Sequence, residues 1–166
     1  MAIYDLTRQF LKDHIPARDR TNDQMLQAAR SAKSNIVEGR VDASISLEME
    51  IKLYGVAIGS LEELLNDYED YIRSHKLIVW NNAHPRFNKM REFYAKNNSS
   101  EVYLPLYFKL SDEEFCNMII TLIRQNISMI RNLLDLVKMD FLNKGGIKEQ
   151  MYKARIEYRN SQNKFL

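Results

Sequence analysis

Cysteine is nearly absent from this 166-residue chain, and the single one, Cys116, can neither close an intramolecular disulfide nor build a thiolate metal cage. Glycine and proline are scarce too, five and three, so little of the chain can be tight turns. No stretch approaches the roughly 18 apolar residues that a membrane span needs. Met1 to Asp5 shows no basic region followed by an apolar run, so no targeting segment is read there. The expected setting is therefore cytoplasmic and reducing, with no membrane partner. Charge of one sign is also missing: the net charge is +2, a mild positive bias that tolerates nucleic acid without announcing it. What abounds is Leu, Ile, Met, Lys, Glu and Arg, which lose little freedom in a helix. At 45% hydrophobic and 28% charged residues, one globular domain with one core is expected.

Periodicity carries the fold. Leu47, Ile51, Tyr54, Ile58, Leu61, Leu65, Tyr68 and Ile72 follow at alternating spacings of four and three, which predicts an amphipathic helix of about eight turns. Cys116, Ile120, Ile123, Ile127, Ile130, Leu134, Val137 and Phe141 repeat the pattern, behind a capping box at Ser111-Asp112-Glu113-Glu114. A shorter stripe, Met25, Ala29, Ala32 and Ile36, is opened by Thr21-Asn22-Asp23-Gln24 and stopped by Gly39. Ile3, Leu6 and Phe10 make a brief helix ahead of Pro16. Together these predict an all-α fold, an antiparallel up-and-down four-helix bundle over residues 1–142 with a C-terminal helical suffix over 143–166.

Residues 76–110 read as a long connector holding Trp80, a short helix from Pro85 to Ala95, and an apolar strip from Val102 to Phe108. A connector this aromatic is expected to pack on the bundle or on a neighbouring chain. Gly145-Gly146 breaks the fourth helix, and Ile147, Met151, Ala154 and Tyr158 then give the suffix a docking stripe. Gly55 and Gly59, one turn apart inside a long helix, cost roughly 1 kcal/mol each relative to alanine, and close helix approach is the expected compensation.

Catalysis has no visible carrier. No glutamate has a histidine three residues later, so the di-iron pattern of helical bundles is missing. His14, His75 and His84 fall near helix ends or in loops, where surface or capping roles are expected. The five glycines fit neither a P-loop nor a dinucleotide fingerprint. Cys116 lies on an apolar stripe, where an inert buried thiol is expected. Glu62, Glu63, Asp67, Glu69 and Asp70 crowd one helix end as a solvated face, and Asn35 with Glu38 reads as a polar pair at an inter-helix corner. No catalytic residue, metal or cofactor is called.

The stretch Asp23-Gln24-Met25, Gln27-Ala28-Ala29-Arg30-Ser31 and Ser34-Asn35-Ile36-Val37-Glu38-Gly39 resembles the four-helix-bundle family encoded within intervening sequences of bacterial large-subunit ribosomal RNA genes. The resemblance runs on through Ser60-Leu61-Glu62-Glu63-Leu64-Leu65 and Asp67-Tyr68-Glu69-Asp70-Tyr71 to Gly145-Gly146 and Met151-Tyr152-Lys153-Ala154-Arg155, similar to the subgroup with a suffix helix. It implies a non-catalytic bundle assembled as a pentameric ring. By analogy with a similar bundle in diversity-generating retroelements, it also implies contact with nucleic acid or a reverse transcriptase. The linker Val41 to Leu47 departs from the family pattern in carrying apolar residues.

Two basic strips are the candidate interface. Arg30, Lys33 and Arg40 share one side of the second helix, while Lys144, Lys148, Arg155 and Arg159 are expected to share a side of the suffix. From Lys144 to Leu166 there are six basic residues against two acidic. The expected function is phosphate-mediated binding of structured RNA or DNA by a homo-oligomer, the alternative being a protein-interaction scaffold or accessory subunit.

Overall fold

The computed structural model describes residues 2–42, 46–97 and 99–162; the linker residues 43–45 and the last four residues, Lys164 among them, lie outside these. The described chain is helical throughout: α1 (Ala2–His14), α2 (Arg20–Asp42), α3 (Leu47–Ser74), α4 (Phe87–Lys96), α5 (Ser100–Tyr107), α6 (Asp112–Lys144) and α7 (Ile147–Gln162). The expected all-α bundle is what forms. Helix α1 packs on α2, α2 on α3, α3 on α6, and α6 back on α1. Cross-helix pairs fix the directions. Asn22 donates to the Ile15 carbonyl at 3.1 Å while Lys33 sits over the Tyr4 ring. Ser60 donates to Ser31 at 2.9 Å while Gly39 lies against Tyr54. Arg124 pairs with Glu69 at 2.6 Å and Arg131 with Glu62. In each set one number rises as the other falls, so chain neighbours run antiparallel.

The centre of the core is aromatic. Phe10 of α1 stacks on Phe115 of α6 at 5.3 Å and takes the edge of Tyr71 of α3 at 4.8 Å. Tyr68, fully buried, donates its hydroxyl to Thr7 at 3.1 Å, and burial pushes its pKa well above the ordinary tyrosine range. The connector adds to this core. Trp80, Tyr94, Tyr103 and Tyr107 are all buried, so of the two expectations for the aromatic connector, packing on the bundle is the one observed.

Several local expectations change. Helix α2 runs through Gly39 to Asp42. Gly39 is buried, and a Cβ there would come within 2.8 Å of the Tyr54 ring, so its role is close packing and not termination. Its start is capped by Asp19, whose carboxylate accepts from the Thr21 amide at 2.9 Å, and not by Thr21. The expected apolar strip 102–108 is mostly helix α5, with Pro105 inside it. Asn35 donates to the Ser31 carbonyl one turn back at 2.8 Å, so it does not hold an inter-helix corner. The Ser111–Glu114 capping box forms as expected.

Gly55 and Gly59 are the clearest departure. Both are exposed, and a Cβ at either would meet nothing within 4 Å, so no close helix approach compensates them. Replacing each by alanine should therefore stabilise the fold by about 1 kcal/mol, because only the helix-propensity and unfolded-chain entropy terms remain. The double variant should melt a few degrees higher by circular dichroism. An unchanged or lower midpoint would mean that these positions are covered in solution.

The bundle is unequal along its length. Helix α1 has 13 residues against 33 in α6. Phe115 to Ile123 are nine consecutive buried residues, ringed by α1, α3 and the connector. Beyond them only Ile127, Ile130 and Val137 of α6 are buried, on the side facing α3. Helix α7 buries none of its residues.

Candidate nucleic-acid interface

The basic residues fall in three places. Arg30 is exposed mid-way along α2, Arg40 exposed near its end, and Lys33 half-buried with its ammonium 4.7 Å from the Tyr4 ring centroid. That cation–π contact holds Lys33 to α1, leaving Arg30 and Arg40 as the open charges of the first strip. Lys144 does not join the suffix strip. It ends α6, before the Gly145 turn, and pairs with Asp140 at 2.5 Å. Lys148, Arg155 and Arg159 are on α7 at spacings of seven and four, all exposed, and lie within a narrow arc of its surface.

Tyr152 belongs to the same arc and is exposed. The order Lys148, Tyr152, Arg155, Arg159, at spacings of four, three and four, interleaves an aromatic ring with cations along about 16 Å of helix. A flat ring between phosphate-binding cations is what stacking on an unpaired base requires. This residue was missed at the sequence level because its neighbour Met151 drew the apolar stripe, although the spacing alone could have placed it.

The turn holding α7 is specific. Gly145, at φ 76°, donates its amide to the Phe141 carbonyl at 2.8 Å, and Gly146 donates to the Glu149 carboxylate at 2.8 Å. Glu48, at the start of α3, is held below the ordinary carboxylate range chiefly by its own amide and the Ser46 hydroxyl. The Ile147 amide and the Lys148 charge contribute less. These contacts bring the α6–α7 turn to the α3 start, the end of the bundle at which α2 finishes at Asp42, two residues past Arg40.

The opening between α2 and α3 suits phosphate poorly. A cleft of about 640 Å³ between α2 and α3 is lined by Arg20, Asp23, Gln24, Gln27, Glu63 and Asp67 among others. Burial raises the Asp67 carboxyl, with the Asp70 and Glu63 charges adding to it. The acidic group at the end of α3 is thus only partly the expected solvated face, since Glu62 and Glu69 carry the ion pairs to α6. Cys116 is buried, and desolvation pushes its thiol up to about 12, which removes it as a nucleophile near neutral pH. Of the histidines, His75 caps α3, His84 stacks on Trp80 at 4.0 Å and His14 stacks on Phe10 at 4.8 Å. Among the described residues no three His, Cys, Asp or Glu side chains stand where they could share a metal ion. No described helix is long and apolar enough to cross a membrane.

Comparison with family models, with curated proteins and with solved structures finds no match to this chain.

Proposed function

We propose that this protein is a non-catalytic, homo-oligomeric helical-bundle protein that binds structured RNA or DNA through phosphate contacts. The observation that supports this reading is helix α7, fully exposed, with Lys148, Arg155 and Arg159 aligned around Tyr152 and no ion pair to any of the three among the described residues. Three aligned cations are a weak site alone. In a ring the strip repeats, and affinity for phosphate climbs steeply with the number of contacts. The resemblance to the ribosomal intervening-sequence family supports the same reading and suggests a pentamer in a bacterial cytoplasm. The exposed apolar residues of α6 and α7 support a second reading, a scaffold that docks another protein, such as a reverse transcriptase, without touching nucleic acid.

Fluorescence anisotropy with a structured RNA and an unrelated duplex DNA separates the two. The first reading expects both to bind at low salt, with log affinity falling linearly in log salt by about 0.9 for each duplex phosphate engaged. Replacing Lys148, Arg155 and Arg159 together by glutamate should abolish binding while changing stability by under about 0.5 kcal/mol per site, since all three face solvent. If neither nucleic acid binds even at low salt, the scaffold reading replaces the first.

A further inference from the structure

Helix α7 has 16 residues and buries none of them, and a helix of that length is marginal in water without help from outside. Its leading amides have no partner within the helix, so much depends on what meets them. Gly146 precedes Ile147, and its carbonyl accepts the Gln150 amide at 3.0 Å, which makes it the N-cap. Glycine brings no side chain to that position. Lys148 adds to the deficit, since a cation in the first turn opposes the positive end of the helix dipole.

Two carboxylates stand where a capping side chain is missing. Glu149 reaches back to accept the Gly146 amide at 2.8 Å, which is half of a capping box. The other comes from a different helix. A Cβ built on Gly146 would strike Oε1 of Glu48 and lie 3.0 Å from its Cδ, so the Glu48 carboxylate fills the space into which an N-cap side chain would project. There it accepts the Ile147 amide and faces the Lys148 charge. It is held in that place from its own side: the Ser46 hydroxyl donates to it at 2.9 Å while accepting the Met49 amide at 3.3 Å, at the start of α3.

We infer that Glu48 is the N-cap of α7, supplied across the turn by α3, and is thereby the positioning residue for Lys148, Tyr152, Arg155 and Arg159. Those four side chains share one arc only while α7 is helical, and an unwound chain scatters them. This rests on the nucleic-acid reading above and names the group that sets the geometry of its strip. Charge and capping predict opposite signs for the loss of Glu48. By charge alone, removing a carboxylate beside a phosphate-binding lysine tightens binding. As a cap, its loss shifts a marginal helix toward coil by about two- to fivefold, and the ligand then finds the strip formed in fewer molecules.

Glu48→Ala sets the two signs against each other. Cα chemical shifts over residues 147–162 should show α7 less helical, while those of α3 stay as in wild type. Anisotropy with the structured RNA should show affinity about two- to fivefold lower, although the variant carries one positive charge more than the wild-type +2. A second variant adds Gly146→Asp to Glu48→Ala. Among the described glycines only Gly145 has a positive φ, so position 146 takes a side chain once Glu48 has left the space, and the net charge is again that of wild type. Helix and affinity should both return, which a role of Glu48 confined to α3 would not produce. Serine at 146 is the smaller alternative should the Phe141 ring obstruct aspartate. An α7 as helical in Glu48→Ala as in wild type, tighter binding by that variant, or failure of both residues at 146 to restore the helix overturns the inference. A wild type that binds neither RNA nor DNA removes the nucleic-acid reading and the positioning role together, while the chemical shifts still decide whether Glu48 caps α7.

Discussion

Replacing Phe10 by alanine is expected to remove about 3–5 kcal/mol of stability, which for a chain of this size lowers the melting midpoint by about 6–20 °C. The ring is fully buried and meets four others: Phe115 stacked, Tyr71 edge-on at 4.8 Å, Tyr68 tilted at 5.1 Å and His14 stacked at 4.8 Å. Aromatic pairs of this kind contribute about 0.5–1.5 kcal/mol each beyond their buried area. Because Phe10 is the ring by which a 13-residue helix reaches both α3 and α6, nothing nearby can fill the hole. With total stability on the order of 5–15 kcal/mol, a large part of the folded population is at stake. Thermal and urea unfolding would check it, with Val56→Ala as an exposed control expected within about 0.5 kcal/mol of wild type. A loss for Phe10→Ala as small as the control's would mean that α1 does not hold the core together.

The parts of this fold readable from sequence are those where one helix's own pattern decides the outcome. Spacings of four and three over 47–72 and 116–141 needed no partner to be seen, and the Ser111 cap is settled by residues three apart. What was misread depends on a second element. Gly39 looks like a stop until the Tyr54 ring is placed against it. The strip Val102 to Phe108 reads only as an apolar part of the connector until Tyr103 and Tyr107, one turn apart, are both seen to be buried on helix α5. The basic strip follows the same rule: Lys148, Arg155 and Arg159 align by helical spacing alone, whereas Lys144 is turned away by the positive φ of Gly145, which no spacing encodes. The stripe of α7 was read as a docking surface, and on the single chain it covers nothing. A pattern shows that a surface needs cover, but not whose.

Asn117 should prove the most sensitive polar residue, with Asn117→Ala costing about 2–4 kcal/mol and loosening the connector in particular. Its side chain is 2% exposed in its residue context and fully used. Oδ1 accepts the Trp80 amide at 2.7 Å, while Nδ2 donates to the carbonyls of Ile78 and Glu113 at 2.8 Å each. Alanine leaves the Trp80 amide without its partner in a buried place, and an orphaned buried group costs about 1–3 kcal/mol, with a cavity term added. What then still holds the segment is Glu113, which accepts from the Trp80 indole and the Ile78 amide at 3.0 Å each. Those two bonds hold the Glu113 carboxyl below its ordinary range, the indole first. A carboxyl depressed in the folded state stabilises it above the unfolded pKa and gives that up as pH falls through the folded value. The variant should therefore lose connector order on acidification sooner than wild type. The readouts are Trp80 emission, which should shift to the red as the single indole is wetted, and hydrogen exchange at the Trp80 amide, which should accelerate more than at amides of α3. Equal acceleration everywhere would show a general loss of stability and would remove Asn117 as the specific anchor of the connector.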